Sequence, residues 1–311
     1  MVPQGVTRIL DNIQKVVIGK RQVLEMMLSA MLCEGHILIE DLPGIGKTTL
    51  SKSLARSIGA VFNRIQCTPD LLPSDVTGTF FFNQKASEFE FRPGPVMSNI
   101  VLVDEINRAT PRTQSSLLEA MEERQITVDG STFPLPRPFL VIATQNPVEL
   151  QGTFPLPEAQ LDRFMLKAAL GYPTQEEEDR MILRFNDANP LETLDAVASG
   201  GDLLGFISLV NRIHVDPSIR RYILEITRRT RVDSAIKIGA SPRASLALHK
   251  ASQALAFVQG RDYVLPDDVK RLVVPVLAHR LILTSDAYFS KRSKEELLEA
   301  ILSSIPVPVE D

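Results

Sequence analysis

One stretch constrains this chain more than any other: the apolar run at 36–40 followed by Asp41-Leu42-Pro43-Gly44-Ile45-Gly46-Lys47-Thr48-Thr49. The run has strand length, and Lys47 opens a helical pattern that continues to Ser57. Strand, glycine loop and helix in this order form the context a phosphate-binding loop requires. Small residues let successive backbone N–H groups curl around phosphate oxygens. The helix N-terminus adds free donors and a favourable dipole. Pro43, Gly44, Ile45, Gly46 and Thr49 would form the cradle, Lys47 would reach the β- and γ-phosphates, and the Thr48 hydroxyl would hold Mg²⁺. Asp41 stands where the usual pattern has its first glycine, so Pro43-Gly44 must make the turn. A tight turn that merely caps a core helix explains none of the Gly-x-Gly-Lys-Thr-Thr combination.

A second apolar run, at 100–103, ends in Asp104-Glu105. Continuous apolar runs suit central strands of a parallel sheet, covered on both faces. Placed beside the strand that feeds the loop, this one would open on the same crevice at its C-terminal end, where such folds bind ligands. Asp104 would orient Mg²⁺, directly or through its waters, and Glu105 would polarise the attacking water. Asn146 follows the next apolar strand, at 139–143. Its neutral amide suits a water or a γ-phosphate, with Thr144 and Gln145 as neighbouring candidates. An Asx turn before Pro147 is the plainer alternative.

Two arginines stand out. Arg163 precedes the last strand of the α/β part, at 164–170, and is a candidate arginine finger for a neighbouring subunit's nucleotide. A local pair with Asp162 or Glu158 is the alternative. Arg243 follows Ser241, suited to an N-cap, and Pro242, suited to a first helical position. From there it could reach bound phosphate across a domain cleft, or simply stand solvated.

Strands alternate with helices as far as Gly171-Tyr172-Pro173, which predicts an α/β domain with a mostly parallel sheet. Two inserted hairpins interrupt it: strand-like segments at 77–82 and 88–91, and a pair within 125–138 turning at Asp129-Gly130. From Glu176 onward the pattern is helical with almost no strand signal. The expected organisation is a nucleotide-binding core over residues 1–172 with inserts near 76–97 and 125–137, and a helical lid over 173–311 ending in a loose, proline-rich tail. A chain of 311 residues suits two such domains. Its two cysteines, Cys33 and Cys67, are too few for a disulfide scaffold and read as small buried hydrophobes. With no signal-peptide pattern and no apolar run of about 18 residues, a cytoplasmic protein without direct membrane insertion is expected.

IEDLPGIGKTTL, VLVDEINRA, TQNP, PEAQLDRF, GASPRASLAL and GRDYVLPDDVK leading into VLAHRL together resemble the MoxR family of AAA+ ATPases, in the clade with an insertion in the second helix. The resemblance runs from the Val17-Ile18-Gly19 region to about Leu281. It implies a P-loop core with a parallel five-stranded sheet in the order 5-1-4-3-2, followed by the lid. It implies that Lys47 and Thr48 are the Walker A residues and Asp104 and Glu105 the Walker B pair. Asn146 would be the first sensor, Arg163 the finger acting in trans and Arg243 the second sensor. Val17, Ile18 and Gly19 would hold adenine. ATP and Mg²⁺ are the implied cofactors. A homo-oligomeric ring, commonly hexameric, is the implied assembly, with a protein client and a von Willebrand factor A domain partner.

A nucleic-acid motor of the same class is the competing reading. The net charge of -4 and the absence of a zinc motif or extended basic tract argue against nucleic acid as the main partner. The basic cluster Arg220, Arg221, Arg228, Arg229 and Arg231 reads as a solvated or subunit-contacting helix face. A non-enzymatic assembly factor would not need Glu105.

Overall fold

A computed structural model describes residues 4–148, 152–186 and 189–308 of the protein. Its strands are, in chain order, β1 (Ile37–Glu40), β2 (Phe62–Gln66), β3 (Gly78–Asn83), β4 (Glu88–Pro93), β5 (Ile100–Asp104), β6 (Gln125–Val128), β7 (Ser131–Pro134), β8 (Leu140–Gln145), β9 (Leu166–Ala168), β10 (Ile236–Ile238) and β11 (Ile282–Leu283). Five of them form one sheet in the order β2-β5-β8-β1-β9, with every neighbouring pair parallel. Numbered within the sheet alone, this is the expected 5-1-4-3-2. One expectation is corrected: the Asp104 strand does not lie beside the strand feeding the phosphate loop, because β8 intervenes. The register keeps the ends level, pairing Asp104 with Gln66 and Gln145 with Glu40.

The sheet is covered on both faces, as its apolar runs require. Alternation along each strand sends Ile37, Ile39, Ile100 and Leu102 into one core and Leu38, Val101 and Val103 into the other. The second core also takes Leu117, Leu118 and Met121 from the helix Pro111–Glu123. The first joins the sheet to the N-terminal helices Gln4–Gln14 and Arg21–Leu32 and to the lid, in one continuous apolar cluster. The lid is therefore packed against the core. Ile305, at the start of the tail expected to be loose, is buried in this cluster, while 309–311 lie outside the described residues.

After Pro173 the chain is mainly helical, but not wholly so. β10 and β11, three and two residues long, pair antiparallel within the lid. Segments of three and two residues are too short to show a period of two, and their pairing joins positions remote in sequence. The short helices Pro73–Thr77 and Ser285–Phe289 were also not expected.

Both inserted hairpins are present: β3 pairs β4 and β6 pairs β7, each antiparallel. Asp129 and Gly130 take positive φ values of 48° and 80°, the backbone a two-residue turn of this hand demands. Phe91 and Phe133 stack with ring centroids 4.1 Å apart, so the two hairpins brace one another. Phe82 and Phe89 face out from the first hairpin.

Two histidines lock layers together. His36 Nδ1 accepts from the Val141 N–H at 3.0 Å, which leaves its Nε2–H to donate to the Met121 carbonyl at 3.0 Å. Burial lowers its pKa to about 4, against a raising effect of the Met121 bond. His279 lies within hydrogen-bond distance of the Phe164 carbonyl through Nε2, at 3.0 Å, and burial, helped by the adjacent Arg280 charge, lowers it to about 3. Both folded values lie below the unfolded value, so the unfolded chain binds the proton first. Stability is full above about pH 6.5 and is lost as pH falls toward the folded values. We expect each histidine to remove about 2 kcal/mol between pH 7.5 and 5. Urea unfolding across that range measures this, and a His36→Gln chain should show a shallower pH slope.

Candidate active site

The phosphate loop joins the end of β1 to the helix Lys47–Ser57. Gly44 and Gly46 adopt φ values of 83° and 89°, where a side chain is strained. A Cβ built on either would meet nothing within 4 Å, so backbone conformation, not crowding, demands glycine. The surrounding space is open to a ligand. Lys47 Nζ donates to the carbonyls of Asp41 and Leu42, 3.0 Å each. The Asp41 carboxylate accepts from the Leu42 N–H and, through its other oxygen, from those of Leu170 and Gly171 at 2.6 and 2.7 Å. The residue that departs from the usual glycine thus ties the loop to the segment that follows β9.

Lys47, Thr48 and Thr49 line one cleft of about 370 Å³ with Pro43, Gly44, Gly46, Arg64, Gln66, Asp104, Glu105 and Asn146. The two strand ends and the loop therefore meet. Glu105 has φ 57°, a left-handed conformation that costs a non-glycine residue about 1–2 kcal/mol. Thr144, buried on β8, supports it: its hydroxyl accepts from the Glu105 N–H at 2.8 Å and donates to Asp104 Oδ1 at 2.6 Å. Asp104 Oδ2 takes the Arg64 guanidinium at 2.6 Å. Glu105 Oε2 accepts from Gln66 Nε2 at 3.1 Å and from Arg108 Nε at 3.0 Å. The two acids thus sit level, each with its own cation.

The Thr144 hydroxyl is committed to the acid pair. Asn146 Oδ1 accepts from the Val148 N–H at 3.1 Å, the Asx turn considered for it, while Asn146 also lines the cleft. Arg64 and Gln66 were not singled out from the sequence. The signal was available: alternate polar positions at the C-terminal end of a parallel strand.

The remaining candidates lie elsewhere. Ile18 is buried, and Gly19, at φ 68°, lies so close to Glu177 that a Cβ would fall 1.8 Å from its Oε1. Lys20 Nζ donates to the Tyr172 carbonyl at 2.8 Å. The Val17-Ile18-Gly19 turn therefore lies at the junction of core and lid, outside the lining of the phosphate cleft. Arg163 pairs with neither Asp162 nor Glu158. It meets Glu122 at 3.1 Å, and Arg243 meets the same carboxylate at 2.9 Å. Arg243 is thus not solvated alone: its helix start is seated against the end of the helix Pro111–Glu123, and it is outside the lining of the phosphate cleft. Cys33 and Cys67 have thiols that burial pushes up to about 12, which leaves them unreactive at neutral pH.

The donor set suits magnesium with a polyphosphate. Mg²⁺ is held through one or two oxygen donors plus phosphates and water, not by a cage. Thr48 and Asp104 line the same cleft. Among the described residues no group of three or more His, Cys, Asp or Glu is placed to hold a metal alone.

Comparisons with known proteins agree with this geometry. Residues 36–166 match the ATPase family associated with various cellular activities (AAA), and residues 228–301 match the AAA lid domain. The chain is 50% identical to the protein YeaC of Bacillus subtilis, covering 97% of this chain and 94% of that one. It is 42% identical to the chaperone MoxR1 of Mycobacterium tuberculosis, over 97% of this chain and 82% of the relative. It is 33% identical to the protein MoxR of Paracoccus denitrificans, over 94% and 93%. A crystal structure of a protein from Cytophaga hutchinsonii superimposes with a TM-score of 0.92 at 40% identity, over 98% of this chain and 96% of that one.

Thr144→Val keeps the shape of the side chain and removes both of its hydrogen bonds. We expect a loss of about 1–3 kcal/mol in urea unfolding and a fall of about tenfold in nucleotide turnover as Glu105 loses its orientation. Unchanged turnover would remove Thr144 from the support of the acid pair.

Proposed function

We infer the function from one premise: the chain belongs to the MoxR family of AAA+ ATPases. It is an ATP-hydrolysing protein of the chaperone-like MoxR clade, and its P-loop AAA+ fold is one that binds ATP with Mg²⁺. We propose that hydrolysis occurs in the cleft between the phosphate loop and the end of β5. The observation that carries this is the shared lining by Lys47, Thr48, Asp104 and Glu105.

In this reading the backbone of Gly44, Ile45 and Gly46 wraps the phosphates, with Pro43 shaping the turn and Thr49 continuing the helix start. Lys47 exchanges the carbonyls of Asp41 and Leu42 for phosphate oxygens, a donor already within 3.0 Å of two acceptors. Thr48 and Asp104 would hold the magnesium ion, which supplies charge neutralisation of the phosphates when bound. Glu105 orients and deprotonates the attacking water. Asn146 donates its amide to that water or the γ-phosphate, its Oδ1 being engaged by Val148. Val17, Ile18 and Gly19 contact the base, supported by their place at the hinge between core and lid. Arg163 serves the nucleotide of a neighbouring subunit, with Arg243 at its side.

The subunits would form a closed ring, six by family expectation, since a heterologous interface repeated without leftover ends closes on itself. The core over 1–172 and the lid over 173–311 would act as its two working parts. Loss of γ-phosphate contacts would loosen the arrangement and drive remodelling of a protein client, with a von Willebrand factor A domain protein as partner. The outward phenylalanines Phe82 and Phe89 support a contact role for the first hairpin. No helix among the described residues is long and apolar enough to cross a membrane.

Glu105→Gln keeps the size and the acceptor oxygen while removing the base. It should bind ATP and assemble as the parent does, while turnover drops by at least about 100-fold. Turnover assays with nucleotide binding measured in parallel decide this, and undiminished hydrolysis would refute the assignment of Glu105.

A further inference from the structure

Glu122 lies in the last turn of the helix Pro111–Glu123, remote in sequence from the two arginines it holds. Its Oε2 meets Arg163 Nη2 at 3.1 Å and its Oε1 meets Arg243 Nη2 at 2.9 Å. Each oxygen therefore carries one guanidinium. The three side chains come from a core helix, the segment before β9 and the first turn of the lid helix Pro242–Val258. All three are partly exposed, and exposed ion pairs add little to stability. Two guanidinium groups left side by side would repel, and the carboxylate between them permits their approach.

The backbone on either side of Arg163 is held as well. Arg280, almost wholly buried, donates through Nε to Asp162 Oδ1 at 2.6 Å and through Nη2 to the Phe164 carbonyl at 2.7 Å. Its Nη1 also donates to the Val276 carbonyl within its own helix end. His279 reaches the Phe164 carbonyl too. Both residues belong to the lid. The lid thus fixes the residues flanking Arg163 directly, and Glu122 fixes its guanidinium while itself braced by lid residue Arg243. A long side chain that would otherwise sample many rotamers is held in one, with further N–H donors free for an anion.

We propose that Glu122 is a positioning residue for Arg163, and that through Arg243 it makes the aim of this arginine depend on the seating of the lid. Hydrolysis in one subunit is then governed by the lid of the subunit that supplies the arginine. This rests on the reading of Arg163 as acting on a neighbour's nucleotide, and the experiment separates the two.

Glu122→Ala should lower kcat for ATP by about 10- to 100-fold, with KM within about twofold and an unchanged thermal midpoint. Glu122→Gln, which keeps two hydrogen-bonding arms but no charge, should fall between it and the parent. A purely structural role would move the midpoint, and a role in the chain's own cleft would move KM; either result, or unchanged kcat, overturns the proposal. Mixed assemblies give the second arm. Subunits carrying Glu105→Gln retain an intact Arg163, so mixing them with Arg163→Ala subunits should raise turnover above that of either alone. No recovery there refutes action in trans. Recovery there but none with Glu122→Ala subunits overturns the role of Glu122 and leaves the trans reading standing.

Discussion

The parallel register of β5, β8 and β1 is the constraint on which the rest depends. Three apolar strands, buried on both faces, lie side by side so that Asp104 ends within one residue of the level shared by Gln145 and Glu40. Acidic and polar residues placed immediately after such strands cannot remain in the core, because burying an unpaired charge is too costly. They emerge together at one edge of the sheet, where the phosphate loop also emerges from β1. The intervening β8 is no obstacle. It contributes Thr144, whose hydroxyl joins Asp104 to the backbone of Glu105.

Charge is distributed around the two ends of the sheet in small shared groups. Asp104 faces Arg64, and Glu105 faces Arg108 and Gln66. Glu122 holds two arginines, and Glu34 likewise holds both Arg124 and Arg137 at 2.6 Å. Such pairs add little to global stability where they are exposed. Their effect is geometric: they keep long side chains in one rotamer at sites where reach and direction matter. The buried Arg280 differs. Its guanidinium has carbonyls and a carboxylate around it, and losing it would take the counter-ion from Asp162 and one donor each from the Phe164 and Met165 carbonyls at the packed junction of core and lid.

The junction also changes how the lid should be regarded. One apolar cluster runs from Val6 through the sheet face to Ile305, so the helical part and the N-terminal helices share a core. The glycine loop is tied to this junction through Asp41, and the Gly19 turn faces Glu177 at the start of the lid. Events at the phosphate loop and the angle of the lid are linked by short, direct contacts.

The sequence alone was sufficient for what depends on local pattern. Apolar runs of strand length, the glycine loop, Asp129-Gly130 and the Ser241-Pro242 helix start are encoded within a few residues, because propensity, turn chemistry and capping act at that range. So the alternating α/β order, the two hairpins, Lys47, Thr48, Asp104 and Glu105 were legible there. The partners of Arg163 and Arg243 were not, since Glu122 is brought to them only by packing the lid against the core. Nor was the use of Thr144 or Arg64, or the short pairing of β10 with β11. Ion pairs and hydrogen bonds between remote segments depend on how the apolar faces dock, and that docking is a property of the whole folded chain.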